Sequence, residues 1–90
     1  MNLMVRQIRL IERVDQLIRL QATGTPEELI SKLGISKTKL YRIINTMKTL
    51  NAPIEYDITL QSFVYVEPVG FTFGFYTKNQ KSKILNGFGG

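Results

Sequence analysis

Three helix-forming stretches followed by two short β-type runs predict an α+β fold for this 90-residue chain. The expected order is three helices, then a C-terminal β-hairpin with a candidate third strand. Residues 3–22 contain neither Gly nor Pro and repeat apolar side chains at helical spacing. Residues 25–50 hold two helix starts with a single glycine between them. Residues 54–66 change to a period of two and to β-branched and aromatic types.

In the first stretch, Leu10, Ile11, Val14, Leu17 and Ile18 fall on one stripe and predict the buried face. Arg6, Arg9, Arg13 and Arg19 interleave with Glu12 and Asp15 on the outer face, where Asp15 and Arg19 are four apart and can pair. Leu3, Met4, Val5 and Ile8 extend the apolar surface beyond what one small core needs. They either cap the monomer or meet a second copy. Thr23 and Gly24 end the helix.

Thr25-Pro26-Glu27-Glu28 starts the second helix: Thr25 as N-cap, Pro26 where no amide partner is lost, and Glu28 completing a capping box. Leu29, Ile30 and Leu33 give its inner face. Gly34 permits the left-handed conformation of a sharp turn, Ile35 anchors that turn, and Ser36 caps the third helix. Leu40, Ile44, Met47 and Leu50 or Asn51 are expected to face inward. At about 100° per residue the opposite face presents Thr38, Tyr41, Arg42, Asn45 and Thr49. Lys37 and Lys48 flank it beside Tyr41, and Lys39 flanks the other edge.

Pro53 breaks the helix, and strands are expected over 54–58 and 62–66 with a loop at 58–61. Phe71, Phe73 and Phe75 then alternate with smaller residues. They either close the core or form a dimer contact. Residues 1–77 are assigned to one domain and the basic, Gly-ended stretch 78–90 to a flexible tail.

Composition narrows the chemistry. A chain this short buries roughly 60–65% of its unfolded surface, so a second copy is a natural source of further stability. There is no His and no Cys, which excludes zinc sites, His bases and thiolate nucleophiles. With no Gly-rich phosphate loop and no convergent carboxylate pair, the expectation is a non-enzyme with no metal and no cofactor. No run of about 18 apolar residues is present and the N-terminus lacks a signal-peptide pattern. A cytoplasmic protein starting at Met1, with no membrane partner, is therefore expected. The net charge is +5, and its distribution is uneven. Residues 36–52 hold Lys37, Lys39, Arg42 and Lys48 with no acid, whereas 53–67 hold Glu55, Asp57 and Glu67 with no base. Such a segregated basic helix points to nucleic acid.

The run TPEELISKLGISKTKLYRIINTMKTLNAPIEYD resembles the winged helix-turn-helix domain found at the N-terminus of DeoR-type and YafY-type bacterial regulators, and that of the biotin-operon repressor. Glu27, Glu28, Leu29, Leu33, Gly34, Ile35, Ser36, Tyr41, Arg42 and Ile44 match the family pattern directly or conservatively, as do Pro53 and Ile54 at the strand start. The resemblance spans residues 9–67. It implies a three-helix winged helix-turn-helix and a sequence-specific DNA-binding regulator of transcription. Ile30 replaces the family's usual Ala and Ile43 its usual Asp, which predicts an apolar residue near the surface at Ile43. The stretch corresponding to the wing carries acids and no Lys or Arg. The small-molecule domain of the larger regulators has no counterpart in this sequence.

In that reading Arg42 is the first candidate for a guanine edge, Lys37, Lys39 and Lys48 for phosphates, and Thr38, Tyr41 and Asn45 for further hydrogen bonds. Double-stranded DNA is the expected partner. A homodimer is expected too, with Met4, Ile8, Phe71, Phe73 and Phe75 as interface candidates. The alternative is a protein-contact module that uses the same fold without touching DNA.

Overall fold

The computed structural model describes residues 2–75. The chain forms α1 (Leu3–Arg19), α2 (Pro26–Leu33), α3 (Lys37–Thr49), β1 (Ile54–Asp57) and β2 (Ser62–Tyr65) in that order. This is the expected α+β architecture of three helices and an antiparallel hairpin. Met1 and residues 76–90, and with them the tail assigned to 78–90, lie outside the described residues.

Each helix start is set by a side-chain cap. Asn2 accepts from the Val5 amide at 2.8 Å, and Ser36 accepts from the Lys39 amide at 3.1 Å. Thr25 and Glu28 form the full capping box, and the bonds that Glu28 accepts from Thr25 hold its carboxyl below the usual carboxylate range. Between α2 and α3, Gly34 takes φ 64°, and the amides of Gly34 and Ile35 both return to the Ile30 carbonyl. A Cβ at that φ is strained, so glycine is what allows the turn to be this short.

The core joins all five elements. Ile11, Val14 and Ile18 of α1 meet Leu29 of α2, then Leu40, Ile43, Ile44 and Met47 of α3, and finally Ile54 and Phe63 of the hairpin. Each fully buried Leu or Ile contributes about 2 kcal/mol through removal of apolar surface from water. α1 packs on β2, α2 on α3, and α3 on β1. Strand register pairs Ile54 with Tyr65 and Tyr56 with Phe63, so these four side chains share the inner face. Asp57 accepts from the Leu60 amide at 3.0 Å, and Gln61 at φ 49° completes the tight connection.

Five expectations are corrected. Asp15, assigned to the outer face, is buried because its carboxylate is taken up by both Arg19 and Tyr65. Ile43, expected near the surface, has no exposure at all, because it falls within the apolar stripe of α3 with Leu40, Ile44 and Met47 and joins the core cluster there. Leu50 and Asn51 are exposed: the helix ends at Thr49 and Asn51 takes φ 74°, which turns the chain away before either can face inward. α1 stops at Arg19 rather than Ala22, because Gln21 adopts φ 53° ahead of Gly24. The third strand is absent among the described residues. Phe71 is half-buried against the core, while Phe73 and Phe75 are exposed.

Two polar ties fasten the hairpin to the helices. The fully buried Thr23 hydroxyl accepts from the Phe63 amide at 2.8 Å and donates to the Gly24 carbonyl at 3.0 Å. The Ser62 hydroxyl lies 2.8 Å away and shares a hydrogen bond with it. At the other end of β2 the Tyr65 hydroxyl donates to Asp15 at 2.6 Å. Arg19 donates to both Asp15 oxygens at 3.0 Å and lies 5.3 Å from the centre of the Tyr65 ring. Burial, and after it the bond to Asp15, push the Tyr65 phenol above its ordinary value.

Thr23→Val keeps the shape but strands the Phe63 amide, while the Ser62 hydroxyl keeps only its long bond to the Phe63 carbonyl. It should cost about 1–3 kcal/mol, read as a lower urea midpoint at unchanged slope. The raised Tyr65 pKa carries a sign: the folded state holds a proton that the unfolded state releases. Its contribution is complete below the ordinary tyrosine value of 10.0 and declines as pH rises above it. Urea midpoints of the wild type should therefore fall more steeply above that pH than those of Tyr65→Phe. Parallel curves would show that the hydroxyl is not held as described.

Candidate nucleic-acid interface

The third helix owes its exposed face to where its apolar residues fall. Leu40, Ile43, Ile44 and Met47 occupy somewhat less than half of its circumference. Everything opposite is polar or aromatic and open to solvent. Lys37, Thr38, Lys39, Arg42, Asn45 and Lys48 are exposed, and Tyr41 retains 40% of its surface. All seven residues predicted for a DNA face thus lie on one helix surface.

That surface divides into two stripes. Thr38, Arg42 and Thr49 point most directly away from the core, with Lys39 at the far edge. Tyr41, Asn45 and Lys48, spaced four and three apart, turn toward the hairpin. They line a cleft of about 280 Å³ together with Pro26 of α2 and Ile54, Glu55, Tyr56 and Phe63 of the hairpin. Ile44 is also part of its lining. The Thr46 and Thr49 hydroxyls are spent on the Arg42 and Asn45 carbonyls, at 3.0 and 2.9 Å. Their protons are therefore already engaged by the helix's own carbonyls.

The ion pair found among the described residues is Asp15–Arg19, on α1. Lys37, Lys39, Arg42 and Lys48 have no such partner among those residues, so their positive field is not cancelled locally. Of the hairpin acids, Asp57 is bound into its own turn through Leu60. Glu55 follows Ile54 on β1 and so points to the opposite face from Ile54 and Tyr56. Glu55 nevertheless borders the cleft beside Tyr41, Asn45 and Lys48, so one hairpin carboxylate stands next to the edge of the basic face of α3. Among the described residues no group of three or more acids gathers at a point. The chemistry available is charge, hydrogen bonding and ring contact.

Tyr56 is the member of this surroundings that sequence reasoning passed over. Alternation in β1 placed it on the face of Ile54. Only the packing of β1 on α3 brings it opposite Tyr41 and Asn45. Its ring meets Phe63 edge to face, 5.1 Å between centroids and 70° between planes. The candidate interface residues elsewhere are dispersed. Met4 is 72% exposed, Ile8 is half-buried, Phe71 lies against the core beside Ile11, and Phe73 and Phe75 face solvent.

Compared with family models, with curated proteins and with solved structures, the chain matches none.

Proposed function

We propose that this chain is a DNA-binding domain of winged helix-turn-helix type, akin to that of the DeoR-type and YafY-type regulators. In this reading it acts in the cytoplasm as a homodimeric regulator of transcription and has no catalytic activity. The observation that carries the proposal is the exposed face of α3: four cations, no acid, and no internal ion pair among the described residues. No described helix is long and apolar enough to cross a membrane, which leaves this basic face for an aqueous partner.

In this reading α3 enters the major groove. Arg42, on the outermost stripe, bonds a guanine edge with its planar fork. Thr38 adds a hydrogen bond beside it. Lys37, Lys39 and Lys48 hold phosphates at the edges and set register without reading sequence. One domain makes only about four to six cationic contacts, few for tight binding at physiological salt. Two copies on half-sites about 34 Å apart would multiply them. The exposed Met4, Phe73 and Phe75 supply apolar surface for such pairing.

A second reading has one specific observation in its favour. The hairpin tip exposes Ile58 by 81% and Leu60 by 52%, next to Asp57, with no cation between 53 and 67. An apolar, acidic tip suits a protein surface better than a phosphate backbone. The other support for that reading, an exposed Ile43, is removed by its burial.

Fluorescence anisotropy on duplex DNA across a salt series separates the two. Duplex binding should weaken as salt rises, and Lys39→Ala should flatten the logarithmic salt slope by about 0.9. Arg42→Ala should cost about 1–3 kcal/mol on a preferred sequence. A weak signal indifferent to salt and to both substitutions would sink the DNA reading. In sedimentation velocity the wild type should dimerise in the micromolar range and Phe73→Glu should shift it to monomer. A monomeric wild type throughout that range would remove the homodimer.

A further inference from the structure

The cleft between α3 and the hairpin joins part of the basic face to Tyr56, a residue that duplex binding does not use. Its helix wall offers Tyr41, Asn45 and Lys48, and its strand wall offers Tyr56 with the Glu55 carboxylate beside it, which leaves Lys48 as the cation on the opposite wall for a phosphate. Ile44, Ile54 and Phe63, all buried core residues, stand behind the opening and make its base rigid and apolar. Among the described residues no hydrogen bond engages the Tyr41 and Tyr56 hydroxyls, the Asn45 amide or the Lys48 ammonium.

Rings, an amide and a cation at the mouth of a narrow apolar slot are the groups that hold a single nucleotide. Aromatic side chains stack on the face of a base. An Asn amide, donor and acceptor together, matches the paired donor and acceptor on an adenine edge. A lysine at the rim meets the attached phosphate. About 280 Å³ lies at the small end of ordinary ligand pockets of roughly 300–1,000 Å³, a size suited to one flat ring system. A base inside an intact duplex has both faces stacked and cannot enter.

We infer that this cleft is a binding site for one unpaired base of a nucleic acid, at a single-stranded end or flipped from the helix, with Tyr41 and Tyr56 as stacking partners. The inference rests on the nucleic-acid reading of α3. It adds a discrimination which that reading lacks: preference for duplex carrying an unpaired nucleotide over fully paired duplex. It also gives Tyr56, a residue outside the basic face, a recognition role.

The test compares a blunt duplex with the same duplex bearing a short adenine overhang, by anisotropy. The overhang should raise wild-type affinity about tenfold. Tyr56→Leu should abolish that gain while leaving affinity for the blunt duplex unchanged, and Tyr56→Phe, which retains the ring, should preserve it. Blunt-duplex binding by the leucine variant also reports that it is folded. Equal affinity for the two probes, or a gain that survives Tyr56→Leu, overturns the inference and leaves the duplex reading intact. Binding to neither probe overturns both. Binding to the overhang alone supports the cleft and sinks the duplex reading.

Discussion

The arrangement depends on one buried hydroxyl. Thr23 lies in the link between α1 and α2, and its oxygen meets the Phe63 amide, the Gly24 carbonyl and the Ser62 hydroxyl. A two-stranded hairpin is marginal by itself, and here its second strand leaves an edge amide that a helix cannot pair. Thr23 supplies the missing acceptor. In an apolar interior such a bond is costly to leave unmade, so the hairpin is fixed at this point more firmly than its short ladder could fix it. Phe63 is thereby held in the core, and the Tyr56 ring against Phe63 in turn.

The Tyr65–Asp15–Arg19 cluster acts on the far end of the same strand. A carboxylate that accepts from both a phenol and a guanidinium can remain buried without being orphaned. With both ends of β2 tied to the helical body, the hairpin has little freedom to tilt toward or away from α3. The width of the cleft between them is set by these ties, although neither Thr23 nor Asp15 borders it. The proposed preference for an unpaired base would then be a property of the hairpin's attachment as much as of its side chains.

Charge is arranged along the same division. Three of the seven acids are employed locally: Glu28 in a cap, Asp57 in a turn, Asp15 in the buried tie. The cations of α3 are not so employed among the described residues. This difference, more than the net charge of +5, gives the helix its field.

Much of this was legible in the sequence because it is local. Thr25-Pro26 with Glu28, Gly34 and Ser36 declare two helix starts and a tight turn through bonds spanning three or four residues, and the structure makes each of them. The basic face of α3 follows from a 100° step and needed no knowledge of the rest of the chain. What tertiary structure alone decided involves partners distant in sequence. Asp15 reads as a surface acid until Tyr65, fifty residues on, takes its oxygen. Ile43 reads as exposed until the core closes over it, and Tyr56 reads as an ordinary strand residue until β1 settles on α3. Periodicity assigns a side chain to a face of its own element, whereas which other element arrives there is determined by packing of the whole core.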